Sequence, residues 1–163
     1  MRNWLPITRK QYNYALISFL TGIFLGFTLF IWGIVIDGGL FIYYGDYNAQ
    51  QIPFYQMVHD SVLNGETMWS NKTDLGANLI GSYSFYLISS PFFLFTLLFP
   101  SGAVPYLMAP LLILKLGLAS LGSFYYLRRY FSHPGYAVLG SMLYAFSGFS
   151  LYNIFFNHFS KIC

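Results

Sequence analysis

The sequence has very few charged residues. Only 8% of its 163 residues are charged, eight of them Lys or Arg and five Asp or Glu, whereas soluble domains contain about 25%. So few charges cannot cover the surface of a water-soluble globule of this size. The high content of hydrophobic (56%) and aromatic (22%) residues supports the same conclusion. The composition excludes an ordinary soluble domain and a disordered chain, and it indicates an integral membrane protein.

Several chemical signatures are also missing. The single cysteine, Cys163, permits no internal disulfide bond. No Cys/His cluster has metal-site spacing, so no metal ligands are predicted, and neither a G-x-S-x-G motif nor a P-loop occurs. The net charge of +3 is too small and too scattered to predict a nucleic-acid partner. Disulfide scaffolds and several common enzyme signatures are therefore excluded.

Long stretches with almost no charge are the main positive feature. A helix needs about 20 apolar residues to cross a bilayer. These stretches are continuous and lack the two-residue alternation of barrel strands. We predict an all-α fold, a polytopic transmembrane helical bundle in one membrane domain, with spans at residues 14–36, 79–99, 104–127 and 136–156. The lipid bilayer is its first predicted partner.

The distribution of Lys and Arg predicts the orientation. Three basic residues precede the first span and put the N-terminus in the cytoplasm: Arg2, Arg9 and Lys10. Residues 37–78 then form an extracytoplasmic loop with all five acidic residues. Strict alternation of four spans also places Arg128 and Arg129 outside, which this rule disfavours. A re-entrant second segment, broken at Pro91, would return them to the cytoplasm, so the direction of the last two spans stays open.

The outer loop, residues 37–78, is predicted to contain a short amphipathic helix over about residues 51–63. Apolar residues recur at intervals of three, three and four residues, at Ile52, Tyr55, Val58 and Val62. This spacing forms one helix face. We expect the helix to lie on the outer membrane surface, where Trp69 can add an aromatic anchor. His59 and Asp60 are then expected on the surface of the helix.

Asp46 lies a few residues before this predicted helix. The positive end of the helix dipole stabilises a carboxylate in that position. A carboxylate between membrane and water can accept a proton from a hydroxyl group, or hold a metal or a cationic ligand. A solvated loop acid is the alternative interpretation. Asp37 directly follows the first span and is interpreted as a membrane-boundary residue.

Lys115 lies near the middle of the third predicted span. A charge at that depth costs roughly 2.5–3.5 kcal/mol on insertion scales. An intramembrane ion pair, a bound phosphate or a water-filled cavity would stabilise it. The alternative is that the segment is tilted or re-entrant, which would bring Lys115 near an interface.

Small and polar residues predict contacts between helices. Gly22 and Gly26, four residues apart in the first span, favour close helix packing. Tyr144, Ser147 and Asn153 give the fourth segment a polar stripe, which we expect to face other helices rather than lipid.

A series of motifs runs along the chain: Asp46-Tyr47, Gln51, Pro53-Phe54, Asn64-Gly65, Trp69, Asp74-Leu75-Gly76-Ala77-Asn78, Ser82-Tyr83-Ser84-Phe85-Tyr86, Ser90-Pro91-Phe92, Lys115, Arg128-Arg129 and Tyr144-Ala145-Phe146-Ser147-Gly148-Phe149. Over roughly residues 10–157 these motifs resemble the N-terminal part of the YfhO family of bacterial membrane proteins. That family is similar to polytopic glycosyltransferases of the GT-C architecture. The resemblance therefore implies a GT-C-like N-terminal module in the bacterial cell membrane.

The resemblance also implies a reaction. Enzymes of this kind take a sugar from a polyprenyl-phosphate donor and transfer it, on the outer face of the membrane, to an acceptor, here a cell-envelope polymer such as lipoteichoic acid. Asp46 matches their acidic residue in the first outer loop, and is implied to be catalytic, as a general base on the acceptor hydroxyl or as a ligand of a divalent metal. A cation would hold the donor phosphate. The implied substrate-binding residues are Tyr47, Gln51, Lys115, Arg128 and Arg129.

Family members are several times longer than this chain, so the resemblance implies an N-terminal fragment. Such a fragment can be inactive by itself, because the remaining helices would normally enclose the lipid donor. Two other classes of function stay open. One is a transporter or lipid flippase with Lys115 in the substrate path. The other is a structural membrane subunit without catalytic activity.

Overall fold

The computed structural model describes residues 9–42, 45–71, 76–88 and 90–155. The helices are α1 (Arg9–Ile36), α2 (Ile52–Leu63), α3 (Leu79–Tyr83), α4 (Pro91–Thr96), α5 (Val104–Leu127), α6 (Pro134–Ala145) and α7 (Gly148–Phe155). Two π-helical turns, Tyr47–Gln51 and Ser84–Ile88, and one 3-10 turn, Ser101–Ala103, lie between them. Strands β1 (Trp69–Ser70) and β2 (Ala77–Asn78) pair antiparallel. Apart from this small ribbon, the all-α expectation is confirmed.

Within the described residues, two helices are long and apolar enough to cross a membrane. They are Gln11–Ile36 and Ser101–Leu127, which contain the first and third predicted spans. The helix α1 starts five residues before the charge-free run begins, whereas α5 has the bounds of its apolar run. Pro110 lies inside α5 without ending it.

The second predicted span, residues 79–99, is not one helix. The segment is divided into α3, a π-helical turn and α4. Pro91 occupies the first turn of α4, and Ser90 before it has extended backbone angles (φ −83°, ψ 126°). Proline has no N–H to donate and disfavours a helical residue before it. An uninterrupted helix over 79–99 is therefore corrected to a broken segment, as the re-entrant alternative requires.

The fourth predicted span, residues 136–156, is also divided. The helix α6 ends at Ala145, and α7 begins at Gly148. Between them, Ser147 Oγ accepts a hydrogen bond from the Ser150 backbone N–H (3.2 Å), which is the bond of an N-cap. With 12 and eight residues, neither helix alone is long enough to cross a bilayer.

The chain forms two compact units. Of the described residues, unit 1 contains 9–32 and 112–152, and unit 2 contains 33–111 and 153–155 apart from the gaps. Both long helices therefore contribute residues to each unit.

In unit 1, α1 and α5 run antiparallel in a constant register. Along their contacts, residue numbers rise in α1 as they fall in α5. The contacting pairs are Gln11 with Arg128, Ser18 with Ser120, Gly22 with Gly117, and Gly26 with Ile113. A Cβ atom at Gly22 would lie 3.0 Å from Ser120 Cβ and 3.1 Å from Gly117 Cα. At Gly26 a Cβ atom would meet Ile113 and Leu116 at an ordinary contact distance of 3.4 Å. Both glycines therefore face α5, as predicted, and the closest approach of the two helices is at Gly22.

A buried hydroxyl cluster, Ser18, Ser120 and Ser141, joins three helices of unit 1. Ser18 Oγ lies 2.9 Å from Ser120 Oγ and 2.8 Å from Ser141 Oγ. All three residues are fully buried, and these bonds connect α6 to the α1–α5 pair. The polar stripe predicted for the fourth segment consists of other residues, Tyr144, Ser147 and Asn153. The structure does not support the expectation that this stripe faces other helices. Tyr144 is 53% exposed, and the side chain of Asn153 lies outside the described side chains.

In unit 2, α2 is packed inside the protein. Tyr55 and Val58, from its apolar stripe, are buried, and the Tyr55 ring meets Phe93 of α4 edge-on at 5.6 Å. The helix has the predicted bounds to within one residue. The expectation that its apolar face lies on the membrane surface is corrected, because other residues of the chain cover that face.

Candidate functional site

The predicted outer loop begins with a tightly hydrogen-bonded turn after α1. Gly39 (φ +96°) donates its N–H to the Ile34 carbonyl (2.8 Å), which closes the helix end. Asp37 Oδ2 accepts a hydrogen bond from the Ile42 backbone N–H at 3.1 Å. The Asp37 carboxylate therefore stabilises the turn that leads out of α1.

Asp46 lies at the beginning of a longer helical segment. Gly45 (φ +79°) makes the turn, and its carbonyl accepts hydrogen bonds from the N–H groups of Asn48 and Ala49, both at 3.2 Å. The π-helical turn Tyr47–Gln51 then continues directly into α2. The helical segment therefore runs from Tyr47 to Leu63, and Asp46 is directly at its N-terminus. The sequence predicts a helix that begins only at about residue 51, a few residues after Asp46. The dipole of the observed segment stabilises a negative charge at Asp46.

The Asp46 carboxylate is partly exposed and makes no capping hydrogen bond. Its backbone has helical angles (φ −60°, ψ −23°) instead of the extended angles of an ordinary N-cap. The Asp37 carboxylate accepts a hydrogen bond from a backbone N–H, whereas the Asp46 carboxylate accepts none from the first turn of its own helix. It therefore remains available to bind a ligand or to accept a proton.

Two other predicted substrate-binding residues, Tyr47 and Gln51, lie in the same π-helical turn. Both side chains are buried, with exposed fractions of 1% for Tyr47 and 9% for Gln51. The Tyr47 ring packs edge-on against Phe41 at 5.5 Å. Burial, and to a smaller extent the neighbouring Tyr55, raises the pKa of Tyr47 well above its usual 10.0. The phenol is therefore neutral over the physiological range, and it anchors the turn that presents Asp46.

His59 is a structural residue that the sequence interpretation placed wrongly, on the surface of α2. The structure buries it completely. Its Nε2 lies 3.0 Å from the Phe99 carbonyl oxygen, which can only accept, so Nε2 donates. Its Nδ1 lies 3.3 Å from Asp60 Oδ1. His59 therefore ties α2 to the turn before α5. The spacing of residues 55, 58, 59 and 62 puts His59 on the apolar stripe and could have predicted its burial.

The described residues do not form a metal site around Asp46. Nowhere in the described part of the chain do three His, Cys, Asp or Glu side chains come together. The described donor set around Asp46 therefore does not fit a bound divalent metal.

The predicted cations belong to unit 1. Lys115 is buried in α5, with 5% of its surface exposed. Arg128 follows the end of the same helix, 13 residues later, which corresponds to about 20 Å along the axis. Arg128 Nη1 donates to Gln11 Oε1 at 3.4 Å, and its guanidinium lies 5.3 Å from the centre of the Tyr125 ring. Arg129 is exposed. The structure therefore does not gather Lys115 and the Arg pair into one cluster.

Comparison with known proteins gives one family. A family model described as "Bacterial membrane protein YfhO" matches residues 18–161, which is most of the chain. No curated protein and no solved structure matches the chain significantly.

Proposed function

Because the chain belongs to the YfhO family of bacterial membrane proteins, we propose that it takes part in sugar transfer from a polyprenyl-phosphate donor to a cell-envelope acceptor. The transfer takes place on the outer face of the cell membrane, where the loop 37–78 lies. Family membership and the two long apolar helices support a membrane location. The reaction itself is the part that we propose.

The observation that carries the proposal is the position of Asp46. It combines a partly exposed carboxylate, a helix N-terminus and a side chain that caps no backbone N–H. In the proposed step, an acceptor hydroxyl oxygen attacks the anomeric carbon of the donor sugar. The new glycosidic C–O bond forms as the bond to the donor phosphate breaks, and polyprenyl phosphate leaves. Asp46 accepts the hydroxyl proton as a general base.

Tyr47 and Gln51 support this role from inside unit 2. Their side chains are buried, so we assign them to positioning the turn rather than to touching the sugar. A π-helical turn at this point also agrees with the frequent occurrence of such turns at functional sites.

The proposal includes a topology in which, among the described helices, α1 and α5 cross the membrane and the others do not. In unit 1 these helices are antiparallel, with Arg128 beside Gln11. This arrangement puts the Arg pair at the same end as Arg9 and Lys10, the first two residues of α1, in agreement with the positive-inside rule. The broken segment 79–99 then returns to the side from which it came.

Cysteine labelling distinguishes this topology from four spans. In a Cys163→Ser background, Asn64→Cys reports on the outer loop and Ser132→Cys on the turn after α5; both native residues are exposed. With two spans, a membrane-impermeant maleimide should label position 64 in intact cells and position 132 only after permeabilisation. Labelling of both positions in intact cells would support four spans. Position 64 is outside in either case and serves as the control.

The catalytic role is tested by the variants Asp46→Asn and Asp46→Ala, expressed from the native gene. The measurement is transfer of a radiolabelled sugar from polyprenyl phosphate to envelope polymer in isolated membranes. Loss of a general base should reduce transfer by about 100-fold or more. Asp37→Asn is the matched control: it keeps an oxygen acceptor for the Ile42 N–H and should retain transfer. Near-normal transfer by both Asp46 variants would disprove the role of Asp46.

One observation favours a second candidate function. Lys115 is buried within a helix long enough to span the membrane, as a charge in a transport path would be. A transporter or lipid flippase predicts that Lys115→Met stops lipid movement while Asp46→Asn does not. The glycosyltransferase proposal predicts that Asp46→Asn stops sugar transfer.

A further inference from the structure

The antiparallel pair α1–α5 collects basic residues at one end. The helix α1 begins at Arg9, followed by Lys10 and Gln11, and Arg128 donates to the Gln11 side chain. Arg129 follows Arg128 directly. Four positively charged residues therefore lie within about two helical turns of the Gln11–Arg128 contact. We call this set, Arg9, Lys10, Arg128 and Arg129, the basic end.

The sequence of unit 1 contains basic residues but no Asp or Glu. Residues 1–36 and 75–163 contain no Asp or Glu. The contacts described for Arg128 are with neutral groups, the amide oxygen of Gln11 and the face of the Tyr125 ring. Both contacts hold the guanidinium in place without cancelling its charge.

Exposed tyrosines surround the basic end. Tyr12 lies in the first turn of α1, and Tyr126 and Tyr130 flank the Arg pair in sequence, with more than half of each side chain exposed. Tyr130 Oη donates to Tyr126 Oη at 3.2 Å. Tyrosine is enriched at headgroup depth, where its ring is in apolar surroundings and its hydroxyl reaches water. The aromatic residues therefore indicate that the basic end lies at a membrane interface.

An apolar surface continues from this interface along α1. Leu16 and Leu20 follow Tyr12 at four-residue intervals, and both are about half exposed. Residues four apart lie on one face of a helix. A ligand with an anionic head at the basic end and hydrocarbon chains along this face would contact both parts.

We propose that the basic end of the α1–α5 pair binds anionic phospholipids of the bilayer. Arg128 and Arg129 bind the phosphodiester, which suits the planar guanidinium donors of arginine. Arg9 and Lys10 add to the attractive potential, and the acyl chains lie against the exposed face of α1. This binding surface is distinct from Asp46 and does not depend on sugar transfer.

Native mass spectrometry of the purified chain tests the inference. The protein is incubated with equal amounts of dioleoylphosphatidylglycerol and dioleoylphosphatidylcholine, which differ in headgroup charge but have the same acyl chains. Each surface cation contributes roughly fivefold to anionic-lipid binding. Replacing both arginines, Arg128→Gln with Arg129→Gln, should reduce the phosphatidylglycerol preference by about 25-fold. The charge-retaining double variant Arg128→Lys with Arg129→Lys should keep most of it.

Single variants separate this effect from general loss of charge or of fold. Arg129→Gln, which leaves the Gln11 contact intact, should lose roughly fivefold of the preference. Lys72→Gln removes one charge from the outer loop and should lose none. An unchanged preference in the double Gln variant would overturn the proposal, and so would equal loss in the Gln and Lys double variants. Full competition by soluble glycerol phosphate would also overturn it, since the ligand would then be a free phosphate rather than a lipid.

Discussion

Unit 1 and unit 2 use similarly apolar sequences to build very different structures. In unit 1, two long helices pack in one constant register through glycine and serine contacts. In unit 2, helices of five to 12 residues are joined by turns, and five of its described glycines adopt positive φ: Gly38, Gly39, Gly45, Gly65 and Gly76. Irregular backbone in a membrane protein must be covered by protein or line a water-filled cavity. The regular helices of unit 1 are therefore suited to direct contact with lipid, whereas the irregular backbone of unit 2 is not.

The charges separate in the same way. All five acidic residues belong to unit 2, whereas unit 1 has only basic ones. The two proposals accordingly assign different partners to the two units, an acceptor hydroxyl to Asp46 and anionic lipids to the basic end. The following predictions test whether the two units depend on different interactions.

The largest effect is expected at the helix contact of unit 1. Gly22→Val would bring side-chain atoms within about 3 Å of the Gly117 backbone, which cannot yield as a side chain can. We expect a loss of about 3 kcal/mol in the free energy of unfolding, measured by SDS titration of helicity. Gly122→Val introduces the same side chain in α5, where a Cβ meets nothing within 4 Å. Equal losses for both variants would contradict the close contact.

A smaller effect, confined to unit 2, is expected for His59→Ala. It removes the hydrogen bond to the partly buried Phe99 carbonyl, at a cost of about 2 kcal/mol. Hydrogen exchange should accelerate in α2 and around residues 99–103, but not around Ser18 and Ser120. Leu63→Ala, in the same helix with 56% exposure, is the control. Faster exchange throughout both units would show that they unfold together.

Ser141→Ala should have a still smaller effect, in unit 1. It removes the hydroxyl that connects α6 with Ser18, and polar contacts between membrane helices contribute about 1 kcal/mol. Protease protection of α6 should decrease, while that of α2 stays the same. Ser132→Ala, at an exposed position outside the cluster, should leave protection unchanged. If Ser141→Ala also leaves the protease protection of α6 unchanged, the hydroxyl cluster does not hold α6 against α1 and α5.

Tyr47→Phe should have little effect at neutral pH and a visible one in alkali. The folded-state pKa of Tyr47 is raised, so above about pH 10 the unfolded chain loses the phenol proton while the folded chain keeps it. The parent should therefore lose stability in unit 2 as the pH rises beyond 10, and Tyr47→Phe should lose less. The exchange rate of α2 between pH 9 and 11 measures this. Tyr136→Phe, at an exposed position in unit 1, should behave as the parent does.

Regular elements could be predicted from the sequence with good accuracy. The apolar run 104–127 coincides with α5, and the three-and-four spacing predicts α2 to within one residue. Gly22 and Gly26 also pack as predicted. These features depend on local sequence, because helix length follows apolar length and a small residue permits close approach.

The breaks within predicted helices and the contacts between residues distant in sequence were harder to predict. Mean apolarity does not distinguish a spanning helix from the broken segment 79–99, and only Pro91 indicated the break. The burial of His59 depends on the Phe99 carbonyl, 40 residues away. Likewise, Gln11 and Arg128 are 117 residues apart, and nothing in either local sequence indicates their contact.

The sequence by itself determined that this is a membrane protein, that its acidic residues are confined to one loop and that Asp46 precedes a helix. Composition and spacing suffice for these conclusions, because they report which solvent each segment prefers. Only the tertiary structure decided which helix faces are covered, that α1 and α5 run antiparallel with Arg128 beside Gln11, and that Asp37 caps a turn while Asp46 does not cap its helix. These features depend on contacts between distant residues, and local preferences do not specify them.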